Sequence, residues 1–133
     1  MGHKFGSIDE LGSGPGFRKI REPLGVTAFG VNAVVYPSGF DGFLHWHDEQ
    51  DELYFVHRGR VVVEADGEEQ ELGEGGLFHA EAACRRKVSN PFDEEAVLLV
   101  VGGKGGYVGR DGHLVHEEDL ERRRAFSSAP PAS

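Results

Sequence analysis

Three side chains that can bind a metal ion lie close together in the segment from residue 39 to residue 59. His45 and His47 are two positions apart, so on a β-strand both imidazoles point to the same face. Glu52 follows a short polar turn and begins the next apolar run, so a strand–turn–strand brings its carboxylate back to the imidazoles. Two imidazoles and one carboxylate on a rigid sheet suit a divalent first-row metal ion (Fe, Mn, Ni or Zn) with coordination positions left open.

Aromatic and histidine side chains nearby are further candidates for the same interior. Phe43 shares the strand parity of His45 and His47, and Tyr54 shares that of Glu52, so both rings are predicted to line a substrate cavity. A filled hydrophobic core would place the two rings in the same way. His79 lies on a later short strand and could supply an additional ligand if it faced inward, but the sequence leaves its direction open.

The elements that must position these residues are typical of an all-β protein. Short apolar runs arrive about every 8–12 residues and are separated by Gly, Asp or Asn turns, a pattern that predicts a sandwich or barrel. Asp66-Gly67 indicates a hairpin turn between two of these runs. Only residues 117–125, with acidic side chains first and arginines last, have the pattern of a helix.

The same patterns divide the chain into four parts. We predict a flexible N-terminal arm at residues 1–16, a β-barrel at 17–101, a Gly-rich connector and C-terminal segment with a short helix at 102–126, and a disordered tail at 127–133. The glycines of residues 102–112 lack the ending of a Walker A loop, so this stretch is interpreted as a connector and not as a phosphate loop.

Composition excludes several classes of partner. The 133 residues carry 23 acidic and 14 basic side chains, and this balance argues against nucleic acid or an anionic membrane as the main partner. Residues 41–81 alone hold 12 acidic side chains against two basic ones, so the acidity is concentrated around the proposed ligands. The single cysteine, Cys84, forms no internal disulfide, and no apolar run has the length of a signal peptide or membrane span. These features predict a soluble, cytoplasmic protein.

The stretch around the histidines resembles the first motif of the cupin family. That motif is a glycine, five residues, His-x-His, three or four residues, Glu, six residues and Gly, and it is matched by Gly39, His45, His47, Glu52 and Gly59. The resemblance implies a double-stranded β-helix, or jelly-roll barrel, that is often a homodimer. In family members with the full ligand set, both histidines, the glutamate and a histidine of a second motif hold a metal at the centre of the barrel.

The second cupin motif is only partly present. Gly75 and Asn90 match its two ends, but Glu81 and Ala83 stand where the family has Pro and Gly. Arg86 stands where the family has the fourth ligand, and a guanidinium, which has no acceptor and stays protonated, cannot bind a cation.

Two arrangements of Arg86 remain open from the sequence. In one, His45, His47 and Glu52 hold the metal and Arg86 binds an anionic substrate such as a carboxylate. In the other, no metal binds and Arg86 pairs with Glu52 inside the barrel. A metal cation about 4 Å from a guanidinium is repelled by several kcal/mol at an effective dielectric near 20, so the first arrangement needs an anion between them.

These observations lead to two main functional hypotheses. The first is a metal-dependent cupin for a small anionic molecule, with chemistry such as oxygenation, isomerisation or decarboxylation. Arg86 would then contact the substrate in a cavity that Phe43 and Tyr54 line. The second is a non-catalytic, metal-poor cupin that holds an anion with Arg86. A purely structural dimer is a third interpretation, and the sequence does not decide whether the protein is an enzyme.

Overall fold

The computed structural model describes residues 2–127, so all of the predicted disordered tail except Ser127 lies outside the described residues. These residues form ten β-strands, two short α-helices and two 3-10 turns, the latter at Ile8–Glu10 and Glu117–Asp119. The strands and helices are β1 (Gly16–Lys19), α1 (Arg21–Leu24), β2 (Gly30–Tyr36), β3 (His45–His47), β4 (Asp51–Arg58), β5 (Val61–Ala65), β6 (Glu68–Leu72), β7 (Leu77–Ala80), β8 (Arg86–Ser89), β9 (Ala96–Gly103), β10 (Gly112–Leu114) and α2 (Leu120–Ser127).

The strands form two five-stranded antiparallel sheets. The first sheet has the order β1-β2-β9-β4-β7 and the second has the order β10-β3-β8-β5-β6. Alternate residues of each sheet face inward, and Val34, Val56 and Leu98 of the first sheet belong to the same buried cluster as Val61 and Val63 of the second. The predicted all-β barrel with a short C-terminal helix is thereby confirmed. Within residues 2–127, no helix is both long and apolar enough to cross a membrane.

The hairpin predicted at Asp66-Gly67 joins β5 to β6. Both turn residues have positive φ angles, 47° for Asp66 and 88° for Gly67. Two-residue hairpin turns need such angles to match the twist of the strands that they join. The turn sets the register in which Val61 and Val63 face the core.

The N-terminal segment lies on the outer face of the first sheet. Ile8 and Leu11 pack against a buried cluster formed by Ile20, Val31 and Ala33. The flexibility that the sequence predicts for residues 1–16 stays a prediction, but this part of the chain covers apolar surface that would otherwise face water.

The Gly-rich C-terminal segment contains a strand that the sequence did not predict. β10 pairs with β3, and Gly112 lies opposite His47 while Leu114 lies opposite His45. On its other side, β3 pairs with β8 only through His45 and Arg86. The strand that carries the two histidines is therefore fixed mainly by residues beyond the predicted end of the barrel.

The C-terminal helix begins three residues later than predicted, because residues 117–119 form a 3-10 turn. Phe126 of α2 stacks on Phe40 with ring centroids 4.4 Å apart and on Tyr36 at 5.7 Å. Arg122 donates to the carbonyl oxygens of Asp41 and Gly42. These contacts hold α2 against the open side of the barrel.

Candidate metal centre and its cavity

The structure brings His45, His47 and Glu52 together inside the barrel. One possible ligand atom from each of the three side chains lies within 4.8 Å of the others. The imidazole centroids of His45 and His47 are 5.3 Å apart, whereas Trp46 between them lies on the other face and stacks on His113. Strand alternation and the short turn between β3 and β4 produce this arrangement, as the sequence predicts.

His45 is held in the form that binds a metal ion. Its Nδ1 lies 2.9 Å from the carbonyl oxygen of Phe43. Because a carbonyl only accepts, Nδ1 carries the proton and Nε2 keeps its lone pair. Burial lowers the pKa of His45 to about 4, so the ring is neutral at pH 7.

His47 lies between two carboxylates. Its Nδ1 is 2.7 Å from Asp111 Oδ1, and its Nε2 is 3.2 Å from Glu52 Oε1. Burial favours the neutral ring, but the hydrogen bonds and charges of Glu52 and Asp111 outweigh it and raise the pKa of His47. A metal ion would take the place of the Nε2 proton, while the bond from Nδ1 to Asp111 would keep the ring oriented.

Glu52 is ionised, and its hydrogen bonds all fall on one oxygen. Glu52 Oε1 accepts from Arg86 Nη2 at 2.7 Å and from the Tyr54 hydroxyl at 2.7 Å, in addition to His47. Burial opposes the charge of Glu52, but His47 and Arg86 outweigh it and lower the pKa of Glu52 to about 2. Within residues 2–127, Oε2 receives no hydrogen bond and remains available as a metal ligand.

Arg86 is fully buried and supports Glu52 from within the protein. Burial disfavours its charge, but Tyr54 and Glu52 outweigh this and raise the pKa of Arg86. Its side chain is not among those that line the cavity. Of the two arrangements left open by the sequence, the structure contains the ion pair with Glu52. The remaining acceptors of the guanidinium are the Tyr54 hydroxyl at 3.4 Å and the carbonyl oxygens of Glu81 at 3.4 Å, Ala82 at 3.0 Å and Cys84 at 2.8 Å.

Asp111 belongs to the centre, although the sequence alone does not predict it. Its carboxylate accepts from His47 Nδ1, from the backbone N–H groups of Glu49 and Gln50 at 2.8 and 3.0 Å, and from Gln50 Nε2 at 2.7 Å. Partial burial opposes the charge, but these donors outweigh it and hold the pKa of Asp111 well below its usual value. Asp111 thus fixes both the His47 ring and the turn that leads to Glu52.

A cavity of about 450 Å³ adjoins the three potential ligands. Phe43 and Tyr54 line it, at the positions that strand alternation predicts. His79 is exposed and alternates with the inward-facing Phe78 and Ala80, so the structure does not bring it to the metal-binding group. The apolar part of the cavity wall includes Phe17, Val34, Tyr36, Val100 and Phe126.

Two antiparallel sheets closed around an interior group of two histidines and a glutamate define a double-stranded β-helix protein. Within that class, the family model of the cupin domain matches residues 32–102, which is more than half of the chain. The chain belongs to the cupin family.

Solved structures share this fold at low sequence identity. A conserved protein with a double-stranded β-helix domain from Klebsiella pneumoniae has a TM-score of 0.71 and 17% identity, over 86% of this chain and 98% of that one. A cupin protein from Bacteroides fragilis has a TM-score of 0.68 and 22% identity, over 83% and 91% of the two chains. A cupin-superfamily sugar phosphate isomerase from Silicibacter pomeroyi has a TM-score of 0.63 and 24% identity, over 84% and 90%. No curated protein matches the sequence.

Proposed function

We propose that this cupin binds a divalent metal ion through His45, His47 and Glu52, and that it binds or transforms a small anionic molecule in the adjoining cavity. The observation that carries the proposal is the support of the two imidazoles. His45 Nδ1 bonds to the Phe43 carbonyl and His47 Nδ1 bonds to Asp111, each at hydrogen-bond distance. Metal-binding histidines are characteristically oriented by such a bond from the other ring nitrogen.

The charges around the centre support a bound cation. Arg86 carries one positive charge next to the proposed metal position, which would repel a metal ion in the absence of an anion. Glu52 lies between the two, 2.7 Å from Arg86 Nη2, and Asp111 adds a second carboxylate behind His47. The negative charge needed between a metal ion and Arg86 is therefore supplied by the protein itself.

The chemistry of such a centre depends on its open coordination positions. A metal held by two histidines and one carboxylate supplies Lewis acidity at those positions, to a substrate oxygen or to dioxygen. In that setting His45 and His47 hold the ion, Glu52 offsets its charge, and Tyr54 and Arg86 fix Glu52. Among the similar structures are a sugar phosphate isomerase and DMSP lyases, which act on different small molecules. The fold does not choose between such reactions.

A metal-free binding module is the second candidate function. It is favoured by the ion pair between Glu52 and Arg86 and by the contact between Glu52 and His47, which give the buried carboxylate partners without a metal ion. In this case the cavity would hold its ligand by charge and shape alone.

Metal analysis distinguishes the two candidates. We expect protein purified without a metal-affinity tag to bind Zn²⁺ or Co²⁺ at one ion per chain, measured by elemental analysis and isothermal titration calorimetry. His47→Ala should weaken this binding by at least about 100-fold, because a ligand is worth more than the groups that orient it. His57→Ala, which removes an exposed histidine of β4, is the matched control and should leave binding unchanged. Substoichiometric metal with no effect of His47→Ala would favour the metal-free module.

We further propose that the protein is a homodimer, as the family resemblance implies. The outer face of β4 and β7 exposes Leu53, Phe55 and Leu77, with 43%, 36% and 61% of their surface accessible. Phe55 and Leu77 are direct cross-strand neighbours, and Leu53 lies on the same face of β4 two residues before Phe55, so the three form a continuous apolar surface. A second copy of the chain is the proposed occupant of this face.

A further inference from the structure

The charged side chains that line the cavity apart from Glu52 and Asp111, which we call its opening, have a net charge opposite to that of the whole chain. The protein carries a net charge of −9. Nevertheless, among the described residues four basic side chains line the cavity, and apart from the central Glu52 and Asp111 only one acidic side chain, Glu22, does so. The basic side chains come from four separate segments, namely Lys19 of β1, Arg21 of α1, Arg110 before β10 and Arg123 of α2.

Three of these four cations have no counter-ion in the described part of the chain. Arg21 lies 4.0 Å from the centre of the Tyr107 ring and 3.4 Å from Glu22, so its charge is partly compensated. Within residues 2–127, Lys19, Arg110 and Arg123 form no ion pair or side-chain hydrogen bond. Like charges that converge on one cavity repel each other, and an anion between them removes that repulsion.

Lys19 lies some distance from the proposed metal position. Lys19 is opposite Asn32 in the first sheet, and β1 is three strand positions away from β4, which carries Glu52. At the usual strand spacing, β1 and β4 are about 14 Å apart along the sheet. The wall between them includes Val34 and Val100. Allowing for the reach of both side chains, the gap fits a small molecule lying between the two ends of the cavity.

We propose that Lys19, Arg110 and Arg123 bind an acid group, either carboxylate or phosphate, at one end of a ligand whose other end carries oxygens that reach the metal centre. The inference rests on the proposed function for its metal-bound end. It assigns recognition of the anion to the cavity opening, and it leaves buried Arg86 as the group that positions Glu52. Four cations around the opening of an acidic protein also concentrate anions where they must enter.

Matched pairs of 2-hydroxy acids test this assignment. Malate and 2-hydroxybutyrate share the chelating end and differ in a distal carboxylate, whereas 3-phosphoglycerate and glycerate differ in a distal phosphate. Binding to Co²⁺-loaded protein is measured by calorimetry and by the visible absorption of Co²⁺. In at least one pair, we expect the member with the distal acid group to bind at least about tenfold more tightly than the member without it, as charge-assisted hydrogen bonds allow. Which pair shows the gain identifies the acid group as carboxylate or phosphate.

Variants of the opening show where the gain comes from. Lys19→Gln and Arg123→Gln should each reduce the affinity gain from the second acid group by about fivefold. The triple variant Lys19→Gln/Arg110→Gln/Arg123→Gln should abolish this gain. None of these variants should change the affinity for 2-hydroxybutyrate or glycerate. Arg124→Gln is the matched control, since Arg124 follows Arg123 on α2, pairs with Glu121 at 3.2 Å and does not line the cavity.

Two results would overturn the proposal. One is equal affinity for both members of each pair, and the other is a gain that survives the triple variant, in either case with Co²⁺ bound normally. Failure to bind Co²⁺ would instead refute the proposed metal centre. In that case the metal-free wild-type protein should still bind 3-phosphoglycerate through Lys19, Arg110 and Arg123. If the metal-free wild type does not bind 3-phosphoglycerate, the inference is refuted as well.

Discussion

Replacement of Arg86 by methionine removes the buried guanidinium while keeping a long side chain at the same position. The change leaves Glu52 as a largely buried carboxylate without its closest cation, which lies 2.7 Å away in the wild type. Removing one partner of a buried ion pair costs about 3–5 kcal/mol. The lowering of the Glu52 pKa from 4.5 to about 2 gives a similar figure, about 3 kcal/mol, part of which is due to His47.

Urea denaturation in the presence of a chelator measures this cost without a contribution from metal. With a slope of about 1.5 kcal/mol per molar urea, a loss of about 4 kcal/mol lowers the unfolding midpoint by roughly 2–3 M at pH 7. Arg60→Met is the matched control, because Arg60 is half exposed and its contact with Glu71 is 3.7 Å long. That change should cost less than about 1 kcal/mol.

The pH dependence of the difference identifies Glu52 as its source. A carboxylate whose folded pKa is depressed stabilises the protein above its unfolded pKa, and this stabilisation is lost as the pH falls through the folded pKa. Without Arg86, the pKa of Glu52 rises and the group protonates in mildly acidic solution. The destabilisation caused by Arg86→Met should therefore be largest at pH 7 and should shrink towards pH 4.

A second substitution keeps the test decisive if Arg86→Met does not fold. The double variant Glu52→Gln/Arg86→Met removes both charges and should recover at least about half of the lost stability, because no unpaired buried charge remains. A midpoint shift below about 0.5 M for Arg86→Met, or a difference that is the same at pH 4 and pH 7, would refute the role of Arg86 as the partner of Glu52.

Two further predictions concern the metal centre and the outer face of the first sheet. Asp111→Asn should weaken Zn²⁺ binding by about 10- to 100-fold, measured by calorimetry, because it removes the carboxylate that orients His47. Asp93→Asn, in the loop between β8 and β9 and outside the cavity lining, should have no effect. Leu77→Lys should shift the sedimentation of a dimer to that of a monomer while each chain stays folded, because Leu77 is 61% exposed within one chain. Unchanged affinity in the first case, or an unchanged oligomeric state in the second, would contradict these interpretations.

The three potential ligands could be predicted because their positions depend on local geometry. His45 and His47 share a face through strand alternation, and only four residues separate His47 from Glu52. Asp111 could not be predicted in the same way. It lies 64 residues after His47, and the pairing of β10 with β3 brings the two together. A three-residue strand in a Gly-rich stretch gives no detectable periodicity.

The role of Arg86 illustrates a second limit on what the sequence alone can predict. Its chemical type alone excludes it as a metal ligand. The direction of its guanidinium, however, depends on the carbonyl oxygens of residues 81–84 and on the Tyr54 hydroxyl, which only the folded turn presents. Similarly, the cations at the cavity opening are spread over residues 19–123, and their convergence follows from the closure of the barrel.

The pairing of β3 also determines when the centre can assemble during synthesis of the chain. β3 shares one residue pair with β8 but three with β10, which follows it by more than 60 residues. A nascent chain that has emerged only as far as β9 carries both histidines on a strand with little support, and it lacks Asp111. Because contacts so distant in sequence form slowly, we expect the proposed metal site to be complete only after β10 has been synthesised and has paired with β3.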